Sequence, residues 1–153
     1  MSRFGRIQLL RLRIAAALLL LVVLAACQDA TLKKIAQAEL DVEQTQATAI
    51  KSLDTLYSAG SITAADVQTV GGILKQINVA NGQAIAITKN LAQLDPASRS
   101  NLRDIIVPLL NAVNAGLTNG VINIKDPTAR ASISASLSAI AVSLTIIQQQ
   151  LGG

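Results

Sequence analysis

The sequence predicts an all-α fold, a small antiparallel four-helix bundle that follows a cleaved signal peptide. Three observations carry that expectation. Aliphatic and small residues recur at alternating spacings of four and three, as in Ile73-Ile77-Ala80-Ala84-Ile87-Leu91-Leu94 and Ile133-Leu137-Ile140-Leu144-Ile147-Leu151. That is the seven-residue repeat of a helix seam. Helix-opening chemistry precedes three of the segments: Thr63 with Asp66 three residues on, Asp95-Pro96 and Asp126-Pro127. Finally, the 153 residues are 51% hydrophobic and only 14% charged, enough apolar material for one small packed domain and too much for a disordered chain.

The first 27 residues stand apart. Arg3, Arg6, Arg11 and Arg13 lie ahead of an uninterrupted apolar run, IAAALLLLVVLAA, from Ile14 to Ala26. As a helix this run spans roughly 20 Å, short of the ~30 Å hydrocarbon core of a bilayer. A cationic start, a short apolar centre and small residues at its end describe a secretory signal whose positive end stays on the cytoplasmic side. The formal net charge of +4 resides entirely in those four arginines, because cations and anions balance from Gln28 onward. With no basic stripe and an aromatic content of 1%, no nucleic-acid partner is expected.

The end of the run is more specific. Leu24-Ala25-Ala26-Cys27 resembles the lipobox of bacterial lipoproteins, and Cys27 is the only cysteine of the chain. The resemblance implies cleavage just before Cys27, a diacylglyceryl group on its sulfur and often a further acyl chain, such as palmitate, on the new amino terminus. Two or more chains anchor a protein stably, whereas one does so marginally. In Gram-negative lipoproteins an Asp directly after the cysteine retains the protein at the inner membrane. Here that residue is Gln28, so the resemblance implies an outer-membrane anchor facing the periplasm. Two other readings stay open: an uncleaved anchor in which Cys27 is an ordinary small residue, and cleavage after Ala25 or Ala26 that yields a soluble secreted protein. Residues 1–26 are thus assigned to a lipoprotein signal peptide, 27–46 to a lipidated amino terminus with the polar start of the first helix, and 47–153 to the bundle.

The first helix is expected from about Thr31 to Ser58, with Leu32, Ile35, Val42, Ile50, Leu53 and Leu56 or Tyr57 on its apolar face and Ala59-Gly60 as its stop. Its first half is polar, so residues 28–46 are expected to project partly free of the core. The second helix should run from Thr63 to about Leu94 along the seam quoted above, with Gly71-Gly72 and Gly82 permitting close approach of a neighbour. The third opens at Asp95-Pro96, buries Leu102, Ile106, Leu109 and Val113, bends at Pro108 and ends at Asn119-Gly120. VINIK, 121–125, is a short apolar connector, either a strand-like loop or a segment packed over the bundle end. The fourth helix starts at Asp126-Pro127 and carries no charge from Ala131 to the end. Its 131–147 stretch resembles a membrane span, but six Ser and Thr residues interrupt it and its large aliphatics keep to one seam. Core packing is therefore the expectation.

The catalytic inventory is thin. Histidine is absent, which excludes histidine triads and histidine-containing zinc sites, and the lone cysteine is assigned to lipid. Glu39 and Glu43, four apart with Asp41 between them, read as a solvated charged face. DPASRSNL at 95–102 matches DPTARASI at 126–133. Repeated helix-opening chemistry explains the match, with Arg99, Arg103 or Arg130 as markers of a binding face in the other reading. No catalytic residue, cofactor or metal site is expected, and the protein is not expected to be an enzyme. The function expected is that of a non-catalytic cell-envelope lipoprotein with a structural or protein-interaction role, held to the membrane through Cys27 and facing an unidentified envelope partner. The alternatives are a membrane-active protein whose third and fourth helices insert into a bilayer, and a secreted soluble helical protein.

Overall fold

A computed structural model describes residues 30–152. The signal peptide, its cleavage point and Cys27 lie outside the described residues. Four α-helices follow in order: α1 Ala30–Ser58, α2 Ala64–Thr88, α3 Pro96–Ala115 and α4 Pro127–Gln150. No strand occurs among the described residues. Each helix packs on its neighbours in sequence, α4 closes back onto α1, and α1 and α3 lie across the diagonal, their backbones not approaching each other. The bonds across the helices fix the directions. Glu39 reaches Thr88 while Gln46 reaches Leu74, so α1 and α2 run oppositely. Arg99 and Arg103, early in α3, reach the end of α4. This is the up-down-up-down bundle that the seams predicted.

Local chemistry sets the boundaries. At the end of α1 the amide of Ser61 donates to the Leu56 carbonyl and that of Gly60 to Tyr57, the paired bonds of a Schellman turn. They require the positive φ of 73° that Gly60 adopts. At the start of α2 the Asp66 amide donates to Thr63 Oγ1 at 3.2 Å, and the Thr63 amide donates to Asp66 Oδ2 at 2.8 Å, a complete capping box. Thr63→Ala is therefore expected to lower stability by about 1 kcal/mol in chemical denaturation. Asp95 and Asp126 cap α3 and α4 through the amides of Ser98 and Ala129, both at 2.8 Å, with proline next in each first turn. The repeated DP motif is thus helix-opening chemistry, as expected.

The core seams of α3 and α4 match the expectation residue for residue. The third helix continues through Pro108 and ends at Ala115, earlier than expected, followed by a π-helical turn, Gly116–Gly120, and a 3-10 turn, Val121–Asn123. Val121 and Ile124 are buried, so the VINIK connector packs on the bundle rather than forming a strand-like loop.

Four expectations need correction. Residues 30–46 do not project from the core: Leu32, Ile35, Ala38 and Val42 are fully enclosed, so the bundle begins at the start of α1 and not at residue 47. Ile50 is 43% exposed, because Ala49 and Leu53 occupy the inward positions, and of the pair Leu56 or Tyr57 it is Leu56 that packs on the core while Tyr57 is 50% exposed. The second helix stops at Thr88, well before Leu94. Its buried seam is Val70-Leu74-Ile77-Asn81-Ala84-Thr88: Ile77, Ala84 and, beyond the helix, Leu94 are buried as expected, whereas Ile73, Ala80, Ile87 and Leu91 pack as a partly buried shoulder and Leu74, Asn81 and Thr88 take the inward positions beside them. Of the α2 glycines only Gly71 lies near a neighbour, where a β-carbon would sit 4.0 Å from Leu53 Cδ2, and Gly72 and Gly82 face open space; the tight approach is at Gly116, where a β-carbon would sit 2.5 Å from Ile73 Cδ1.

Candidate functional site

The displaced α2 seam leads to a buried polar cluster. Along α1 the residues at alternating spacings of three and four are Leu32, Ile35, Glu39, Val42, Gln46, Ala49 and Leu53, and all seven are buried. Two of them are polar. Along α2 the buried seam likewise carries two polar members, Asn81 and Thr88. The antiparallel pairing sets Glu39 against Asn81 and Thr88, and Gln46 against the backbone at Leu74. Gln46 Nε2 donates to the Leu74 carbonyl at 2.9 Å, and Asn81 Nδ2 donates to the Glu39 carbonyl at 3.1 Å. Both tie a side chain of one helix to the backbone of the other. Thr88 Oγ1 lies 2.7 Å from Glu39 Oε2 and 3.2 Å from the Ala84 carbonyl.

Glu39 is the outlier in this cluster. It is only 2% exposed, and the burial pushes its carboxyl up to about 7, with the Thr88 hydroxyl opposing the shift. Two of the enclosed oxygens, Glu39 Oε1 and Asn81 Oδ1, have no hydrogen-bond partner. The cluster is therefore short of donors. The Thr88 hydroxyl donates to Glu39 Oε2, so neither orphaned oxygen gains a partner from it.

Glu39 and Thr88 also form part of the wall of a groove of about 470 Å3 between α1 and the end of α2. Its apolar lining is Leu32, Ala36, Leu40, Ile85 and Leu91, and Lys33, Lys89 and Glu43 stand on its rim. The volume and the mix of apolar walls with few polar groups fall in the range of small-molecule sites, about 300–1,000 Å3.

The other residues singled out in the sequence serve the fold or stand apart. The expectation of a solvated carboxylate face fails at Glu39, which is enclosed, and holds at exposed Glu43. Asp41 accepts a bond from Gln37 at 3.0 Å. Arg99 and Arg103 are brought together at the end of α4, which has no basic residue in its own last turn. Arg99 Nη1 donates to the Gln150 carbonyl at 3.1 Å, and Arg103 Nη2 donates to Leu151 at 2.6 Å and to Gly152 at 3.0 Å. They satisfy carbonyls at the negative end of a helix dipole. Arg130 lies in the first turn of α4 at the opposite end of the bundle, so the three arginines form no common face. Arg103→Ala is expected to cost about 1 kcal/mol and to speed amide exchange in the last turn of α4 ahead of the rest of the helix.

Among the described residues, no group of three or more Asp, Glu, Cys or His side chains comes together to hold a metal ion. Lipidation at Cys27 falls outside the described residues. No protein-family model matches the chain, and neither a curated protein nor a solved structure matches it.

Proposed function

We propose that this protein is a non-catalytic, lipid-anchored component of a bacterial cell envelope, displayed from the membrane as a helical bundle with a structural or protein-interaction role. The observation that carries the reading is the sequence Leu24-Ala25-Ala26-Cys27 at the end of a cationic and apolar leader, three residues before α1 begins at Ala30. Packing supports it, because the buried aliphatic core among the described residues extends from Leu32 to Leu151 and starts immediately after the attachment point. Gln28 favours the outer membrane as the address. Mass spectrometry of the mature protein tests the proposal. An acylated amino-terminal Cys27 is the expected species. An unmodified chain that begins at another residue overturns it.

A second reading, membrane insertion, has one observation in its favour. Helix α4 is the one described helix long and apolar enough to cross a bilayer, and Val142 and Ile146 are exposed on it. The buried seam from Ile133 to Ile147 weighs against it, since the same composition serves a core helix. Leakage from dye-loaded liposomes on addition of residues 28–153 would favour insertion, and intact liposomes would dismiss it.

A further inference from the structure

Antiparallel packing gathers one end of each helix into a common layer. The start of α1, the end of α2, the 89–95 connector, the start of α3 and the end of α4 meet there, as the bonds from Thr88 to Glu39 and from Arg99 to Gln150 require. Three of the six lysines stand exposed in this layer: Lys33 and Lys34 near the start of α1, and Lys89 directly after α2. Arg99 adds a fourth cation, its guanidinium on the Gln150 carbonyl. Against them the layer has Asp95, already held by the Ser98 amide and hydroxyl, and Asp29, which precedes α1 in the sequence. Arg103 and Asp104, a turn deeper in α3, cancel. Asp41 and Glu43 lie eight residues or more beyond Lys33, about 12 Å along α1. At the opposite end the charges balance, with Lys51, Lys125 and Arg130 against Asp54, Asp66 and Asp126. Tyr57, the one aromatic residue among the described residues, is at that opposite end.

We propose that this lysine-bearing end docks on an anionic phospholipid surface, the face of the membrane in which Cys27 is anchored. The inference rests on the lipid-anchor reading and adds to it an orientation and a lipid chemistry. The tether is the first argument. Cys27 stands three residues before Ala30, and three residues of fully extended chain reach at most about 11 Å. That is close to the Debye length, about 8–10 Å at physiological ionic strength. An acylated Cys27 therefore keeps Lys33, Lys34 and Lys89 within the field of the headgroups. The far end of the 29-residue α1, roughly 44 Å away, lies outside that field when the bundle stands upright. Charge is the second argument. Ammonium groups are compact, mobile point charges that suit a fluid array of phosphates. A protein partner is the poorer match, because protein interfaces are depleted in lysine and enriched in aromatic residues and arginine. The balanced far end has no net charge to bring it down to the same surface, so the bundle stands on its lysine end.

Lysine footprinting of the mature protein tests the docking. The protein, expressed as the full chain, is reconstituted into vesicles of phosphatidylcholine alone and into vesicles that also contain phosphatidylglycerol. An uncharged acylating reagent then modifies the lysines, and mass spectrometry reads the rate at each. Lys33, Lys34 and Lys89 should react about fivefold more slowly on the anionic vesicles, the factor set by about 1 kcal/mol per lysine at such a surface. Lys51, Lys75 and Lys125 should react equally on both. Salt at about 1 M should remove the difference, because the Debye length falls to about 3 Å. Amide exchange in the 89–95 connector gives a second readout. It should slow on the anionic vesicles, and the Lys33→Gln, Lys34→Gln, Lys89→Gln triple variant, which alters exposed side chains alone, should lose that slowing. Equal rates on the two kinds of vesicle overturn the docking, as does slowing spread over all six lysines, which would mean a bundle lying flat. Slowing of the connector that persists in the triple variant removes the lysines as the contact and overturns it too. The same spectra report the amino terminus, so the two proposals fail separately. An acylated Cys27 with unprotected lysines overturns the docking alone. An unmodified Cys27 overturns the anchor, and the docking with it, because the short tether is then gone.

Discussion

Unfolding of the helical domain in urea should show a stability that falls by about 3 kcal/mol as the pH is raised from 4.5 to 8, and Glu39→Gln should abolish the decline. The cause is one carboxyl. Glu39 has its folded-state midpoint raised from the ordinary value of 4.5 to about 7, because α1 and α2 enclose it. Between those two values the folded chain keeps a proton that the unfolded chain releases. Stability must then drop with rising pH, by about 1.4 kcal/mol per unit, until the folded form also ionises near 7 and the curve flattens. The sign is opposite to that of a carboxylate held by a favourable partner. Asp95 supplies the contrast within the same molecule: bonds from the Ser98 amide and hydroxyl hold it below its usual range. Its contribution is present at neutral pH and is lost only on acidification below the ordinary carboxylate midpoint, outside the Glu39 window. Glu39→Gln keeps the shape of the side chain without the titration. It should match the wild-type chain near pH 4.5 and exceed it by about 3 kcal/mol at pH 8. A flat wild-type profile would show that the buried carboxyl is not paying the cost of desolvation.

Much of the bundle is legible in the sequence, and the places where it is not share one physical origin. The α3 and α4 seams are purely apolar apart from Ser143, so spacing alone locates them. The Thr63 and Asp-Pro openings are local chemistry, independent of partners. The α2 seam is different. The inward positions 81 and 88 hold Asn and Thr, and this breaks the apolar repeat that begins at Val70, Leu74 and Ile77. Ile73, Ala80 and Ile87, each one residue before an inward position, complete an unbroken apolar pattern with Ile77 and Ala84, and a reading by hydrophobicity settles on them in place of Leu74, Asn81 and Thr88. The polar residues belong inside because Glu39 and its backbone carbonyl lie opposite them. That partnership spans more than forty residues and is invisible to periodicity on either helix alone. A signal was nevertheless present. Glu39 and Gln46 stand seven apart in an otherwise apolar heptad of α1, as Asn81 and Thr88 stand seven apart in α2. Matching interruptions in two consecutive seams mark a buried polar layer between them. The groove beside that layer has no such signature, because it depends on where α2 ends and how the 89–95 connector turns.

Two substitutions two residues apart on α4 separate a core helix from a membrane-embedded one. Leu144 is 0% exposed and Val142 is 60% exposed. In a water-soluble bundle, Leu144→Ala removes packed methyl groups from the seam shared with α1 and α3 and leaves a void that the neighbouring helices only partly fill. The expected loss is about 3 kcal/mol, within the span of about 2–5 measured for such truncations. Val142→Ala trims a side chain already largely in water and should change stability by less than about 0.5 kcal/mol. Denaturation of residues 28–153 in aqueous buffer, with no lipid present, reads both. Serine placement gives the same contrast a chemical basis. Ser132 and Ser138 lie on the exposed side with Val142, where hydroxyls remain hydrated and would be costly against hydrocarbon. If α4 instead faced acyl chains, Val142 would contribute to partition into the bilayer and Leu144 would have no privileged role. The two truncations would then weaken membrane association to similar degrees and leave aqueous stability nearly unchanged. A tenfold or greater asymmetry in the unfolding constants, with Leu144→Ala the damaging change, assigns α4 to the core of the bundle.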